Sequence, residues 1–301
     1  CEQLTDHSLT AWFALATALV AYLVLRPTLV VEGLQRLPQI ALGPALVLLG
    51  AAWAGKVNVH VGAVALAFAG AALVFALCNK HYDRREDEAS GVTTEVNHDD
   101  AVALYGWALL VALSLWKTHL FAALCLVLFL VATYAYHGDP LRTKCVFPLS
   151  YKSEGFFAAS AFVAGLLATP GARLDAGDAL ATFLIFGGFF LSAPAKDAKD
   201  IAGDRAAGVR TLYVVLEERG VSFAVAHAIA GASLAACLAV PIVYLALRAT
   251  AGPWLGVSIA IALVAVLATR LPWRRLGVGV MVGAIALYCA SLALGLLCKA
   301  P

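Results

Sequence analysis

Long apolar stretches recur along the whole chain and are separated by polar connections. A helix needs about 20 predominantly apolar residues to cross the ~30 Å hydrocarbon core of a bilayer. The runs are continuous and do not alternate in polarity at every second residue, which argues against a transmembrane β-barrel. The pattern predicts an all-α, polytopic membrane bundle of nine transmembrane helices, with a candidate tenth at the N-terminus. The predicted spans are residues 9–25, 28–54, 60–80, 101–116, 119–136, 154–171, 178–194, 222–248, 253–270 and 276–298.

The composition agrees with a chain surrounded by membrane lipids. Hydrophobic residues make up 62% of it and charged residues only 13%, whereas about a quarter of a soluble domain is charged. The net charge of +2, without a long basic run, argues against a nucleic-acid partner. The 7 cysteines form no CxxC pair and no cluster with histidine, so neither a zinc site nor a disulfide framework is expected.

Three longer polar connections stand out, at residues 81–100, 137–153 and 195–221. Alternation of the spans places them on one side of the membrane, together with the arginines of the turn at 270–275. That side carries most of the Lys and Arg residues, and the positive-inside rule assigns it to the cytoplasm. We therefore expect an integral, multi-pass membrane protein whose polar connections, and any site that they form, face the cytoplasm.

The first chemically informative segment follows the predicted span 60–80 and reads Asn79-Lys-His-Tyr-Asp83-Arg-Arg-Glu-Asp87. Its amide and two of its carboxylates are four residues apart. A helical step of four residues advances only ~40° around the axis, so Asn79, Asp83 and Asp87 would project from one face. The segment therefore predicts three oxygen ligands for a metal ion.

The second segment reads Lys196-Asp197-Ala-Lys-Asp200-Ile-Ala-Gly-Asp204-Arg and continues to Leu212. Its aspartates are three and four residues apart, so Asp197, Asp200 and Asp204 would also share a helical face. Mg²⁺ favours oxygen ligands and usually takes one or two carboxylates, with water and substrate phosphates completing its shell. Two facing carboxylate clusters suit a diphosphate held between Mg²⁺ ions.

Each acidic segment taken alone is equally well explained as a helix end that emerges into water. Two features favour a shared site. Both clusters directly adjoin apolar spans, where an ionisable group costs about 2.5–3.5 kcal/mol at the bilayer centre. Both are also expected on the same side of the membrane, so together they predict one site.

The two segments resemble the aspartate motifs of the UbiA superfamily of intramembrane prenyltransferases. NKHYDRRED is similar to the NxxxDxxxD motif of that family, and KDAKDIAGDRAAGVRTL is similar to its second, DxxxD-containing motif. Leu25-Arg26-Pro27 resembles the RP pair that opens the first helix of the family, and residues 136–144 resemble its YSxPPLRLK loop. The resemblance implies a helical bundle around a central cavity, formed by residues 28–301. Residues 1–27 would then be an N-terminal extension that carries the additional helix.

The resemblance also implies that Mg²⁺ connects both motifs to the diphosphate of an isoprenyl substrate. The implied catalytic carboxylates are Asp83, Asp87, Asp200 and Asp204, and the implied metal ligands are these four with Asn79 and Asp197. Lys144 and Arg142 are candidates for phosphate contact, since both side chains bind phosphate well, although both are also ordinary residues for a cytoplasmic loop. Tyr136 is a further candidate for the substrate site. Candidate wall residues are Phe75, Tyr134 and Tyr136, whose rings could stabilise a cation, and candidates for proton transfer are His81 and His137.

Three functions compete at this point. The first is transfer of the prenyl group to an aromatic or lipid acceptor. The second is cyclisation of the prenyl chain without an acceptor, because the chain has His137 where serine is usual and an unusual sequence at residues 147–155. The third is a cation-coupled transporter. Transport sites usually lie near the membrane midplane in broken helices, whereas these clusters lie at span ends, so the transporter is the least favoured.

Overall fold

The computed structural model describes residues 6–84, 88, 96–116, 119–138, 140–169, 171–247, 253–271 and 274–298. The regular secondary structure of these residues is helical, with turns and loops between the helices, which confirms the all-α prediction. The α-helices are α1 (Asp6–Leu25), α2 (Pro27–Gln35), α3 (Leu37–Trp53), α4 (Val59–Tyr82), α5 (His98–Leu115), α6 (Leu120–His137), α7 (Leu149–Leu166), α8 (Ala176–Ser192), α9 (Ile201–Ala206), α10 (Leu212–Glu218), α11 (Phe223–Leu247), α12 (Pro253–Ala268) and α13 (Arg274–Leu297). Two 3₁₀ segments, Thr143–Cys145 and Ala193–Lys199, complete the described elements.

The helices that qualify as membrane spans are fewer than the sequence predicts. Five helices in the described part of the chain are long and apolar enough to cross a membrane, or up to six if the bent pair of α1 and α2 is one span. The apolar helices α3 and α12 contain 17 and 16 residues. At 1.5 Å per residue each is about 25 Å long, which is less than the ~30 Å of hydrocarbon. The count of nine is therefore not confirmed.

The predicted span 28–54 is wrong, because the structure divides it into two helices at Arg36. Pro27 and Pro38 each lie in the first turn of a helix, where the missing N–H is tolerated and φ is already fixed. The axis of α2 is bent by 104° from that of α1. The second helix, α3, therefore begins at Leu37, directly after the charged side chain of Arg36.

The larger helices form a ring in which α3 packs against α4, α7 and α13. Neighbouring pairs follow the order α4–α5–α6–α7–α8–α11–α12–α13, and α3 closes the ring. The backbones of α3 and α7 meet at Gly50 and Gly165, where a Cβ atom would overlap a carbonyl oxygen of the opposite helix. Small residues allow such close approach between membrane helices. This contact lies toward the ends of α3 and α7, so the open space of the bundle is at their beginnings.

The predicted N-terminal helix is present as α1 and packs along α5. The indole Nε1 of Trp107 donates to the carbonyl oxygen of Leu15 at 2.8 Å. Farther along, Tyr22 Oη and Arg26 Nη2 donate to the two carboxylate oxygens of Asp100, at 2.7 and 2.5 Å. Asp100 is 0% exposed, so Arg26 is held by a buried carboxylate at the start of α5.

Candidate functional site

A cavity of about 200 Å³ lies at the end of the bundle where α4 ends and where α3 and α7 begin. One part of its wall is charged and the other is apolar. The polar and charged lining residues include Arg36, Gln39, Asn79, Asp83, Lys144, Tyr151, Glu154, Lys196, Asp197, Lys199, Asp200, Asp204 and Thr211. The apolar and aromatic lining residues include Leu42, Phe75, Tyr136, Phe157, Phe189, Val278, Met281, Val282 and Ile285. The two aspartate segments, 118 residues apart from Asn79 to Asp197 in the numbering, therefore share one cavity.

The first aspartate segment meets the polar connection that follows α6. Asp83 is the C-cap of α4, and its carboxylate accepts a hydrogen bond from the side-chain amide of Asn79. Lys144 Nζ lies 2.5 Å from Asp83 Oδ1 and 3.5 Å from the carbonyl oxygen of Tyr82. The Lys144 side chain is 3% exposed. A buried ammonium group is thus fixed beside a candidate metal ligand, where it could also reach a bound phosphate.

Arg142, the other candidate for phosphate contact, lies outside the cavity wall. It is not among the residues that line the cavity, and it precedes the 3₁₀ turn that carries Lys144, with φ of +29°. Positive φ is uncommon for a residue with a side chain. The backbone of Arg142 therefore makes the turn that directs Lys144 inward, while its own side chain has no described position in the cavity wall.

The second aspartate segment is not one continuous α-helix, which corrects the predicted shared face. Asp197 lies in the 3₁₀ segment after α8, Asp200 is the junction residue, and Asp204 lies in α9. All three still line the cavity. The opposite side of the same segment is apolar: Ala198 packs in a small core with Tyr213 of α10 and residues of α11. This packing holds the 3₁₀ segment with its charged side toward the cavity.

The carboxylates of the second segment have defined partners. Asp197 Oδ2 accepts a hydrogen bond of 2.8 Å from Tyr151 Oη, and Asp197 Oδ1 lies 3.4 Å from Lys196 Nζ. Lys196 Nζ is also 3.2 Å from Glu154 Oε1. Asp200 is paired with the neighbouring Lys199. Cations and carboxylates therefore alternate around this part of the cavity.

The electrostatics of Asp204 show how close the two segments are. Burial, which is the largest cause, and the negative charges of Asp197 and Asp200 together raise the pKa of the Asp204 carboxyl to about 8, although Lys196 lowers it. Asp83, from the first segment, also contributes to the increase. A carboxyl group in this environment is poorly compensated when ionised. A divalent cation between the two segments would offset that repulsion.

The donor set fits Mg²⁺ when the ion is shared with a phosphate ligand. In the described part of the chain, no three His, Cys, Asp or Glu side chains meet closely enough to hold a metal ion by themselves. Asp87 lies outside the described residues. Of the predicted ligands, the amide of Asn79 and the carboxylates of Asp83, Asp197, Asp200 and Asp204 nevertheless line the cavity. Mg²⁺ commonly binds through one or two carboxylates and takes its other ligands from water and phosphate oxygens, so each segment could hold an ion beside a diphosphate.

The aromatic part of the cavity includes Phe75 and Tyr136, whereas Tyr134 is 49% exposed and is not a lining residue. Neither proposed histidine lines the cavity. His137 is buried behind Tyr136, stacked on Tyr82 with ring centroids 5.6 Å apart. Neither ring nitrogen of His137 has a hydrogen-bond partner among the described residues. The suggested wall role is therefore wrong for Tyr134, and proton transfer by His81 or His137 remains a hypothesis.

Sequence reasoning missed several residues of the cavity wall, namely Arg36, Gln39, Tyr151 and Glu154, and it gave no role to Lys196. Arg36 was hidden inside the predicted span 28–54. Its signal is the run Arg36-Leu-Pro38, an arginine directly before a helix-starting proline. Glu154 had a signal too, since it is an acidic residue at the predicted start of an apolar span.

These features define a helical integral membrane protein with a charged cavity at one end of its bundle. The chain belongs to the UbiA prenyltransferase family, whose model matches residues 41–276. This match confirms the resemblance carried by the two aspartate motifs, and it supports a prenyltransferase-type enzyme over a transporter. The matched region contains both aspartate segments and Lys144, and it begins within α3. A comparison with curated proteins finds no match.

Solved structures of UbiA homologs share the fold. The apo structure of a homolog from Aeropyrum pernix K1 is 16% identical, with a TM-score of 0.59 over 84% of this chain and 96% of that one. A homolog from Archaeoglobus fulgidus bound to DMAPP and Mg²⁺ is 18% identical, with a TM-score of 0.52 over 89% of this chain and 100% of the other. The structure of the Archaeoglobus fulgidus homolog bound to Cd²⁺ is 20% identical, with a TM-score of 0.50 over 87% and 99%. At these identities the likeness concerns the fold.

Proposed function

We propose that this protein is a Mg²⁺-dependent intramembrane prenyltransferase, which ionises an isoprenyl diphosphate and transfers the prenyl group to an aromatic or lipid acceptor. The observation that carries the proposal is the meeting of both aspartate segments in one cavity that is charged on one side and apolar on the other. Membership of the UbiA prenyltransferase family supports the reaction class. The homolog bound to DMAPP and Mg²⁺ supports the substrate class and the metal.

In this proposal the charged wall binds the diphosphate end of the substrate. Asn79 and Asp83 would hold metal on one side, and Asp197, Asp200 and Asp204 on the other. Bound Mg²⁺ would neutralise the negative charge that develops on the departing diphosphate. Lys144 would donate a charge-assisted hydrogen bond to a phosphate oxygen, and the lysines of the second segment would add positive charge nearby. Asp87 belongs to the proposed metal ligands by its position in the motif.

The apolar wall would receive the prenyl chain. Cleavage of the C–O bond leaves an allylic cation, which must be kept from water until it reacts. Phe75, Tyr136 and Phe157 line the cavity beside the charged region. Aromatic ring faces stabilise a nearby cation electrostatically. These rings would therefore both exclude water and lower the energy of the cation.

We further propose that residues 28–301 form the catalytic domain, that residues 1–27 are an extension, and that the cavity faces the cytoplasm. The charged connections that line the cavity are those to which the positive-inside rule assigns a cytoplasmic location. Reaction with a membrane-impermeant thiol reagent in oriented vesicles would test the orientation. In a variant whose native cysteines are replaced by serine or alanine, a single cysteine placed at exposed Asp99 should react from the cytoplasmic side only.

The terpene cyclase is the second candidate, and the aromatic lining favours it. In that reaction a double bond of the same chain attacks the allylic cation, and the positive charge then moves along the chain until a proton is lost. A wall that holds aromatic rings next to the diphosphate region suits a cation of changing position. The metal and diphosphate residues would be the same as in the transferase.

The deciding experiment supplies the purified protein with Mg²⁺ and farnesyl or geranylgeranyl diphosphate without an acceptor. Diphosphate release and mass spectra of the extracted lipids are then measured. A cyclic hydrocarbon or alcohol would establish the cyclase, whereas consumption only after addition of an aromatic or lipid acceptor would establish the transferase. Asp83→Asn and Asp200→Asn should abolish diphosphate release, and Asp99→Asn, the same change at an exposed position on the same end, should not. Full turnover in both of the first two variants would refute the metal-site assignment.

A further inference from the structure

The Tyr151 hydroxyl lies between the second aspartate segment and the start of α10. Tyr151 belongs to the first turn of α7 and is 4% exposed. Its Oη is 2.8 Å from Asp197 Oδ2 and 2.7 Å from the backbone nitrogen of Leu212. A backbone N–H can only donate, so Tyr151 Oη accepts from Leu212. The single phenolic proton is then directed to Asp197, and the direction of both hydrogen bonds is fixed.

This arrangement restricts what Asp197 can offer to a ligand. Oδ2 receives the phenolic proton, while Oδ1 lies toward Lys196, 3.4 Å from its Nζ. Without the hydroxyl, the contact of 3.4 Å with Lys196 would be the remaining described restraint on the orientation of this buried carboxylate. With the hydroxyl in place, Oδ2 is occupied by the phenolic proton, and Oδ1 is the oxygen that a ligand in the cavity would take from Lys196. Asp197 can therefore act as a monodentate ligand of fixed orientation.

The same hydroxyl also connects the metal side of the cavity to the chain that follows the motif. Leu212 is the first residue of α10, and Thr211 and Val209 just before it line the cavity. Val209 is tied back to the motif, because its N–H donates to the carbonyl oxygen of Asp204 at 2.8 Å. Tyr151 thus joins α7, the aspartate segment and the start of α10 at one atom.

We propose that Tyr151 is a positioning residue of the metal–diphosphate site and acts through Asp197, an inference that rests on the proposed function. It sets the orientation of one carboxylate and stabilises its ionised form by a charge-assisted hydrogen bond. Preorganised ligands bind metal more tightly, because less orientation must be fixed on binding, and such outer partners commonly affect metal affinity by about 10- to 100-fold.

The test measures binding of Mn²⁺ with inorganic pyrophosphate by calorimetry, in detergent and without prenyl substrate, so that it does not depend on turnover. Tyr151→Phe removes the hydroxyl and keeps the ring. We expect binding to weaken about tenfold or more. The matched control is Tyr288→Phe, which removes an equally buried hydroxyl that donates to the carbonyl oxygen of Leu238 at 2.6 Å, outside the cavity lining. That variant should bind as the wild type does.

A double-mutant cycle with Asp197→Asn separates a positioning role from general damage. If Tyr151 acts through Asp197, adding Tyr151→Phe to Asp197→Asn should change binding by less than about twofold, since coupled residues are not additive. Additive losses would overturn the inference, as would wild-type binding by Tyr151→Phe. Unchanged binding by Asp197→Asn would instead remove Asp197 from the proposed metal site itself. Should Tyr151→Phe not fold, 3-fluorotyrosine at position 151, which keeps the hydroxyl, should bind at least as well as tyrosine, and weaker binding would contradict the inference.

Discussion

Replacement of Lys144 by methionine tests the diphosphate site most directly. Methionine has similar length and no charge. The ammonium group is buried and lies 2.5 Å from Asp83 Oδ1, so in the proposed reaction it is held where a phosphate oxygen would bind. A hydrogen bond to a charged group is worth about 1.5–3 kcal/mol, which corresponds to roughly 10- to 150-fold in kcat/KM for the diphosphate substrate. Asp83 remains 24% exposed in its side chain, so water can partly hydrate the carboxylate that loses its partner.

The assay is diphosphate release at varied substrate and varied Mg²⁺. The loss should appear in kcat/KM for the diphosphate substrate. The Mg²⁺ concentration needed for half-maximal rate should not rise, because Lys144 competes with the metal ion for Asp83. Lys152→Met is the matched control, since Lys152 is exposed on the first turns of α7 and its ammonium lies over the ring of Phe156. If Lys144→Met and Lys152→Met both keep a kcat/KM within about threefold of the wild-type value, the assignment of Lys144 to the phosphate is refuted.

Three further predictions concern the scaffold, and thermal unfolding in detergent measures each. Gly165→Ala should destabilise the protein by about 1–3 kcal/mol, because the added Cβ would overlap α3. Gly187→Ala should be neutral, since a Cβ there has nothing within 4 Å, and equal effects of the two changes would contradict the close contact of α3 and α7. Burial lowers the pKa of His119 below its ordinary value of 6.5, so the unfolded chain binds the proton more readily and stability should fall as pH decreases below about 6.5. This pH dependence should shrink in His119→Gln, and an unchanged profile in that variant would contradict the role of His119. Arg26→Ala should cost about 1–3 kcal/mol, since it takes a charged partner from fully buried Asp100, and wild-type stability would show that α1 is not held there.

Local spacing predicted the proximity of Asn79 and Asp83 in the first segment. Asn79 and Asp83 are one helical turn apart at the end of α4, and the side-chain contact between them follows from that spacing. The second segment kept its charged side although its helix is broken at Asp200, because Ala195 before the charges and Ala198 between them are small and buried. Both segments adjoin long apolar runs, which placed them at span ends from sequence alone.

Tertiary contacts decided what the sequence could not predict. The break at Arg36 has only the run Arg36-Leu-Pro38 as its signal, and the apolar residues on both sides of it fitted one longer span. Tyr151 belongs to the site only because α7 begins beside the second segment, 46 residues away in the chain. Helix α3 was predicted as part of a longer span because the largely apolar α2 precedes it, and α12 was predicted as a span because its 16 residues are predominantly apolar. Pairing between distant segments is a property of packing, which one sequence does not display.

The ion pairs of the cavity explain how a membrane protein can keep so many charges near its core before a ligand binds. Lys144 lies beside Asp83, Lys199 beside Asp200, and Lys196 beside two further carboxylates. A buried charge without a partner costs several kcal/mol. In the proposed reaction, a metal ion that bound alone would take the carboxylates and leave the lysines uncompensated. A diphosphate alone would take the lysines and leave the carboxylates. Bound together, they give every charge a new partner, so the arrangement favours joint binding of Mg²⁺ and the diphosphate over binding of either one.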